Sequence, residues 1–183
     1  MEFPRVAEVV DAIAAGQVDF TVTNASPARA ERVAFTEPVL ALELGYLVPA
    51  GSPLRSTAEL DRPGQRIGIT QGSTSERTLP RILPQATFVP VPSMQQVVEL
   101  LGSGGLDAYA TNKSVLFEMA DKLPGSRVLD GRWGLEHMAI AYPKGRDAGA
   151  HFLADFVRDI RANGILAGAI KRSGLRGQAA DAS

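Results

Sequence analysis

The sequence contains no cysteine and only two histidines. The absence of cysteine excludes disulfide frameworks, iron–sulfur clusters and thiol catalysis, and with two histidines an ordinary zinc site would be strained. We therefore expect neither a metal nor another cofactor. Any binding chemistry has to come from oxygen, amide and guanidinium groups.

Neither sign of charge is in excess, because 19 Lys and Arg stand against 20 Asp and Glu, for a formal net charge of -1. A surface that binds nucleic acid needs a basic surplus to neutralise phosphates, so we expect no nucleic-acid partner. The apolar fraction of 45% is that of a chain that folds around a core and does not stay disordered.

Long hydrophobic runs are also missing, since no apolar stretch reaches the roughly 18 to 20 residues of a membrane-spanning helix. The chain opens with Met1-Glu2-Phe3-Pro4-Arg5 and not with a basic and then apolar leader. We therefore expect a soluble chain without an export signal. Its 183 residues suit one domain or two small lobes.

Helix and strand signals alternate along the chain. Three serines have capping-box spacing, in which a hydroxyl and a later carboxyl or amide satisfy the free N–H groups of a helix start. They are Ser56 with Glu59, Ser73 with Glu76, and Ser93 with Gln96. Strand-like segments at 66–70, 87–91 and 106–110 lie between or after them. This alternation predicts an α/β fold with a parallel sheet.

Two strand signals predict crossings between lobes. The strand at 44–48 ends in Pro49-Ala50-Gly51-Ser52-Pro53, and the strand at 137–142 ends in Pro143-Lys144-Gly145. We therefore predict lobe one over residues 1–48 and 138–183, and lobe two over residues 49–137.

Apolar residues beyond the second crossing have helical spacing and predict two amphipathic helices, broken at Asn163-Gly164. These apolar residues are Phe152, Phe156, Ile160, Ile165, Leu166 and Ile170.

The most informative feature is an internal repeat. Residues 9–26, VVDAIAAGQVDFTVTNAS, align without a gap with residues 97–114, VVELLGSGGLDAYATNKS, and seven positions are identical. Each copy reads as helix, glycine, strand and then Thr-Asn past the carboxyl end of the strand, where open α/β sheets bind ligands. If the lobes face each other, Asn24 and Asn112 converge on one cleft. A common helix–glycine–strand unit explains the shared Val and Gly but not the shared Thr-Asn.

Two further segments carry binding chemistry. Arg29 lies five residues beyond Asn24, and its planar guanidinium suits a carboxylate held by two bonds. Most arginines are surface charges, which is how we interpret Arg32. After the strand at 66–70, Gly72 lets the backbone approach a ligand closely. Ser73 and Thr74 then begin a helix whose free N–H groups favour an anion, although Ser73 can also serve as a helix cap.

Glu136 and His137 suggest acid–base chemistry, but the sequence shows no nucleophile with a positioned partner near them. We therefore assign no catalytic residues.

Taken in order, these segments resemble the bacterial solute-binding proteins of the amino-acid type, family 3, which have the type II periplasmic-binding-protein fold. That family's G-x-(V/I)-D run corresponds to GQVD at 16–19, its T-x-x-R to SPAR at 26–29, and its F-(S/T)-x-P to FTEP at 35–38. Further matches are RIGI at 66–69, QGST at 71–74, GLDA at 105–108 and NGIL at 163–166. The resemblance covers nearly the whole chain.

The resemblance implies a two-lobed, periplasmic protein that is not an enzyme. It would capture an amino acid or related small carboxylate for an ABC importer and present the closed form to a membrane permease. Arg29 would hold the ligand's carboxylate, with help from Thr74 and the backbone after Gly72. Thr21 and Asn24 would line the wall of lobe one. The full predicted ligand-binding set is Thr21, Asn24, Arg29, Thr70, Gly72, Ser73, Thr74 and Asn112.

Two residues depart from the family pattern. Asn112 stands where amino-acid binders of this family usually have an Asp that pairs with the α-ammonium, and an amide cannot supply that ion pair. This argues against a standard α-amino acid and leaves a carboxylate without the amine. Val39 stands where an aromatic often follows F-(S/T)-x-P, so one stacking surface is missing.

Family members begin with a signal peptide and a strand–helix–strand unit of lobe one, and this chain starts after that unit. We therefore expect the first lobe to be incomplete and the strand at 18–23 to have an unpaired edge. Such an edge is a site for strand addition, and it predicts a homodimer.

Two alternatives remain open. Dehydratases and lytic transglycosylases share this fold, and chemistry of that kind would need an acid of raised pKa in the cleft, for which Glu37 and Glu136 are the candidates. Sensory and regulatory ligand-binding domains also use related two-lobed folds, which would fit a chain that was part of something longer.

Overall fold

The computed structural model describes residue 3 and residues 6–179. The described residues form two compact units. The first unit runs up to Leu42 and resumes at Glu136, and the second unit is Glu43–Leu135. The sequence placed its boundaries after residues 48 and 137, and the compact units divide somewhat earlier at both places.

Seven helices and seven strands alternate along the described residues, with a short 3-10 helix at Thr57–Leu60. In chain order they are α1 (Val6–Ala14), β1 (Thr21–Asn24), α2 (Pro27–Ala30), β2 (Ala34–Val48), β3 (Arg66–Thr70), α3 (Thr74–Ile82), β4 (Thr87–Val91), α4 (Met94–Gly102), β5 (Ala108–Asn112), α5 (Lys113–Lys122), β6 (Arg127–Val128), β7 (Gly134–Tyr142), α6 (Asp147–Ala162) and α7 (Ile165–Ser173).

In the first unit, the strand order is β1-β7-β2. Strand β1 is antiparallel to β7, from Thr21 opposite Ala141 to Asn24 opposite Met138. Helix α1 covers one face of this sheet through Val10 and Ile13, which cluster with Ala141 and with Val33. Strand β1 is therefore an edge strand within the described part of the unit.

In the second unit, the order is β2-β5-β3-β4, and β6 also pairs with β2. Strands β3, β4 and β5 are parallel, while β2 runs antiparallel to β5. Buried residues form one cluster around Ile67, Ile69 and Leu79, and another around Leu101 and Leu116. Helix α3 thus packs on one face and helices α4 and α5 on the other, which confirms the predicted α/β fold.

The internal repeat has the same structure in both copies. Helices α1 and α4 occupy equivalent positions of the two copies, and β1 and β5 both end on the shared asparagine. The glycines that close the two helices have φ values of 70° at Gly16 and 73° at Gly104, a left-handed conformation that glycine adopts without a Cβ clash.

The last two helices bury a different stripe from the one that the sequence predicted. On α6 the buried residue is Val157, flanked one turn away by the half-buried Leu153 and Ile160. Phe152 and Phe156 lie on the adjacent stripe and are 68% and 44% exposed, and Ile165 on α7 is 55% exposed. The expectation that these three residues face the core is wrong, because the helix is rotated about its axis by one residue step.

We expect Gly68→Ala to destabilise the second unit by about 1–3 kcal/mol, because an added Cβ on β3 would lie 2.6 Å from Leu106 Cδ1 and 3.2 Å from Tyr109 Cδ2. Urea unfolding of the purified variants measures this change. Gly102→Ala is the matched control, because a Cβ there meets nothing within 4 Å. Equal stability of the two variants would contradict this account of the packing.

Candidate functional site

In the second unit, three parallel strands end at one edge of the sheet and each leads into a helix. Strand β3 leads into α3, β4 into α4 and β5 into α5. Each helix start is capped by a side chain. Ser73 Oγ accepts from Glu76 N at 3.3 Å, Ser93 Oγ from Gln96 N at 3.3 Å, and Asn112 Oδ1 from Val115 N at 3.1 Å. Three positive helix ends therefore share this edge, which favours a negatively charged group.

Thr70 ends β3 and is held by a buried tyrosine. Thr70 Oγ1 lies 2.6 Å from Tyr109 Oη, and Tyr109 Oη donates to Met94 Sδ at 3.4 Å. Since the tyrosine proton is used towards the sulfur, Thr70 is the donor in the shorter bond. Burial raises the pKa of Tyr109, so its hydroxyl stays protonated at neutral pH.

The backbone at Gly72, which the sequence assigned to a ligand, is bound by an internal carboxylate. Gly72 has a φ of 74°, and its N–H donates to Glu76 Oε2 at 2.6 Å. The capping-box spacing predicted that Ser73 and Glu76 act together, and the hydroxyl does cap α3. The carboxylate, however, reaches one residue further back. A ligand anion at Gly72 has to compete with Glu76, while Thr74 follows as the first residue of α3.

Asn112 has a structural role that the sequence did not reveal. Its Oδ1 accepts from Val115 N, which makes it the N-cap of α5. The other arm of the amide is an NH2 group, which donates hydrogen bonds and carries no charge. Asn112 therefore brings a cap and a donor to this edge, but no negative charge.

In the first unit, Arg29 turns back onto the end of β1. Its Nη1 donates to Thr23 Oγ1 at 2.9 Å and to Asn24 O at 3.2 Å. Thr23 and Asn24 are both 8% exposed, and Thr21 is half-buried on the same strand. The structure thus brings together Asn24 and Arg29, as predicted from the resemblance. Sequence reasoning missed Thr23, although the repeat pairs it with Thr111.

Ser26 begins α2, but its hydroxyl makes no cap bond there. The side chain is 7% exposed, and Oγ has no hydrogen-bond partner among the residues that the structure describes. The residue still fixes the turn through its backbone, because its carbonyl accepts from the N–H of Arg29 at 3.0 Å.

The predicted site residues divide between the units. Thr21, Asn24 and Arg29 belong to the first unit, and the other five belong to the second. A groove of about 790 Å³ also lies on the first unit, and it contains none of the predicted residues. Its lining is Val39, Leu40, Arg161, Leu166, Ala167, Ile170, Lys171 and Gln178.

The alternatives to simple binding gain little from the geometry. Glu37 is exposed on β2, and His137 is exposed on β7, where its backbone carbonyl accepts from Ala25 N at 2.9 Å. Within the described ranges, no three His, Asp or Glu side chains come together as metal ligands. None of the helices described is long and apolar enough to serve as a membrane span.

No family model matches the chain. Among curated proteins, it is 26% identical over 155 residues to the glutamine-binding protein GlnH of a Bacillus subtilis ABC transporter, which is 85% of this chain and 54% of that protein. It is 25% identical over 144 residues to a probable histidine-binding protein of Neisseria gonorrhoeae, which is 74% of this chain and 52% of that protein. The chain therefore spans about half the length of the curated relatives that it matches.

Solved structures show the same fold. The solute receptor for L-cysteine of Neisseria gonorrhoeae superposes with a TM-score of 0.79 at 24% identity, over 91% of this chain and 68% of that one. A putative binding component of an ABC transporter from Wolinella succinogenes, complexed with lysine, gives 0.81 at 20% identity, over 91% and 74%. An ancestral amino acid-binding protein described as a precursor of cyclohexadienyl dehydratase gives 0.78 at 20%, over 90% and 72%.

We expect Asn112→Ala to lower the free energy of unfolding by about 1 kcal/mol, because Val115 N loses its cap. Asn112→Asp should stay within a few tenths of a kcal/mol of the unmodified protein, since Asp caps equally well. Urea unfolding distinguishes the two. If Asn112→Ala were as stable as Asn112→Asp, the capping bond would contribute nothing.

The sequence matches and the fold agree with the order of motifs along the chain. Both sets of similar proteins are solute-binding proteins, so the resemblance drawn from the sequence is confirmed. The chain is a relative of the amino-acid-binding proteins of ABC transporters, solute-binding family 3, and has their type II periplasmic-binding-protein fold.

Proposed function

We propose that the protein is the solute-binding component of an ABC importer, that it works in the periplasm, and that a membrane permease is its partner. Its ligand is an amino acid or a related small carboxylate, and it makes or breaks no bond. The observation that carries the proposal is the position of Arg29, whose guanidinium is fixed by Thr23 Oγ1 and Asn24 O at the carboxyl end of β1. The curated relatives named for glutamine and histidine support the same class of ligand.

The chemistry of both units favours a ligand with a carboxylate. The first unit contributes a guanidinium, and the second contributes three helix N-termini and the amide of Asn112. All of these groups donate hydrogen bonds or carry positive charge. Because Asn112 is neutral, the edge of β5 lacks a negative charge to pair with an ammonium there. Carboxylates without an α-amine, such as keto acids and dicarboxylates, therefore belong among the candidate ligands beside amino acids.

The dehydratase alternative rests on an ancestral neighbour that is similar at 20% identity, which concerns the fold alone. The acid that such chemistry needs would be buried in the site. Glu37 is exposed, and Glu136 is half-buried on β7. We therefore propose binding without turnover.

Arg29→Ala should abolish binding of any carboxylate that the unmodified protein binds. Removing one partner of a desolvated charge pair costs about 2–5 kcal/mol, or at least about 30-fold in affinity. A thermal-shift screen with L-glutamine, L-arginine, L-cysteine, pyruvate, 2-oxoglutarate and succinate finds a ligand, and calorimetry then measures the loss.

Arg32→Ala is the matched control for this experiment. Arg32 also follows α2 closely, but it pairs on the surface with Asp11 at 2.6 Å and is 53% exposed. It should change affinity by less than about twofold. Equal affinities of Arg29→Ala and the unmodified protein would refute the assignment of Arg29. Running the same compounds on Asn112→Asp shows whether a charge there shifts preference towards ligands with an amine.

We also propose that the protein forms a homodimer through β1. This strand lies at the end of the order β1-β7-β2, and its open edge presents backbone N–H and C=O groups. Val22 on β1 is 53% exposed, and the preceding Phe20 is 57% exposed. Pairing of two such edges would satisfy the backbone groups and cover both apolar side chains.

Val22→Lys should convert the dimer into a monomer, because a charge on an edge strand opposes pairing. Light scattering coupled to size-exclusion chromatography measures the mass. Val98→Lys is the control, since Val98 is 37% exposed on α4 in the second unit. A clean monomer for the unmodified protein at its highest soluble concentration would refute the dimer.

A further inference from the structure

One carboxylate in the second unit joins three segments of the chain. Glu43 lies on β2, at the point where the chain enters the second unit. Glu43 Oε2 accepts from Lys113 Nζ at 2.7 Å, and Oε1 accepts from Arg132 Nη1 at 3.2 Å. Lys113 directly follows Asn112, and Arg132 lies just before β7. Glu43 therefore links the candidate binding edge to both segments by which the chain passes between the units.

The register of the sheet explains why Glu43 and Lys113 meet. Leu44 on β2 is opposite Asn112 on the antiparallel β5, so Glu43 and Lys113 are the next residues on either side. The ammonium group has little access to solvent, since the side chain of Lys113 is 12% exposed and that of Glu43 is 25% exposed. Loss of either partner would leave the other charge poorly solvated.

The stem of Lys113 lies flat along β2. A Cβ added at Gly45 would be 2.9 Å from Lys113 Cγ and 3.0 Å from its Cε. The absence of a side chain at Gly45 is therefore what lets Lys113 reach Glu43. Packing of the stem and pairing of the ammonium fix the first residue of α5 against β2.

Backbone bonds hold the third segment at the same place. Trp133 N donates to Leu44 O at 3.0 Å, and Trp133 Nε1 donates to Gly45 O at 3.2 Å. The indole ring also contacts Tyr46, with ring centroids 6.4 Å apart. The residues before β7 are thus attached to β2 beside Glu43 and not only through Arg132.

We propose that Glu43 is a positioning residue for the ligand site: through Lys113 it holds the N-terminus of α5, and with it Asn112, in place against β2. The proposal rests on the proposed function for its effect on a ligand. Its structural part, the order of the α5 cap, is independent of any ligand. Arg132 is the outer member of the cluster, since it is 43% exposed and its bond to Glu43 is the longer one.

The charge state of Glu43 gives the proposal a pH signature. The hydrogen bond from Lys113 is the main cause that lowers the pKa of Glu43, and Arg132 acts in the same direction. A carboxyl whose pKa is lowered on folding stabilises the protein above its unfolded pKa. That contribution disappears as the pH falls through the lower, folded pKa.

The experiment compares Glu43→Gln with Glu37→Gln, which removes the same charge from an exposed position of the same strand. At neutral pH, Glu43→Gln should lower the folding equilibrium constant about tenfold or more, and Glu37→Gln less than about twofold. The gap between Glu43→Gln and the unmodified protein should close as the pH falls below the ordinary range for Glu. A gap that does not change with pH would overturn the role of the charge.

Amide hydrogen exchange of Val115 tests the positioning itself. Val115 N is the donor that Asn112 caps, so Glu43→Gln should speed its exchange about tenfold, while Glu37→Gln should leave it unchanged. Lys113→Met should act like Glu43→Gln, and the double variant should be less than additive. Unchanged exchange at Val115 in Glu43→Gln would overturn the proposal even if the variant is less stable.

Calorimetry with L-glutamine, the ligand named for one of the curated relatives, tests the effect on binding. Glu43→Gln should weaken L-glutamine at least about fivefold under conditions where it is fully folded, and unchanged affinity would overturn the positioning role. If the unmodified protein binds no compound of the screen, the proposed function fails. The exchange of Val115 then still decides whether Glu43 orders the α5 cap.

Discussion

The first N–H groups of an α-helix have no acceptor within that helix, and this one requirement shapes the second unit. Each of its parallel strands leads directly into a helix, so the junction residues have to supply an acceptor. Ser73, Ser93 and Asn112 do so with a side-chain oxygen. Because the strands are parallel, these junctions lie along one edge. The polar, electropositive edge that suits an anionic ligand is thus a direct consequence of how the helices begin.

The same requirement sets a limit on binding. Glu76 already occupies the N–H of Gly72, and Glu43 already neutralises Lys113. A ligand gains only what its own contacts exceed these internal ones, since donors that are satisfied within the fold are not idle before it arrives. The groups that can favour a ligand most strongly are those whose internal contacts are few or whose charge is not matched by a carboxylate. The bonds printed by the geometry for Arg29 go to a hydroxyl and a carbonyl, and neither of these carries a charge.

Local signals in the sequence were enough for much of the fold. Strands β3 and β4 begin and end where β-rich segments meet glycine, proline and capping residues, and the helix starts after Ser73 and Ser93 follow from spacing alone. Strand β2 was predicted only from residue 44, although it begins at Ala34, because Glu37-Pro38 interrupts its strand pattern. The pair of Glu43 with Lys113 could not be predicted, since 70 residues separate them and only the register of β2 and β5 brings them together. The rotation of α6 was missed because Leu153, Val157 and Ile160 form an apolar stripe as good as the one that includes the phenylalanines.

The internal repeat shows how one local sequence can acquire two roles. Up to the shared asparagine, the copies have the same helix, the same left-handed glycine and the same strand. After Asn112 the chain enters α5 at once, so this asparagine has to cap the helix. After Asn24 the chain continues to Ser26-Pro27, and proline begins the short α2 two residues later. That delay frees the end of β1 from capping and leaves room for Arg29 to fold back onto it. The difference in charge between the two copies therefore arises from where the next helix begins, and it assigns the carboxylate of a ligand to the first unit.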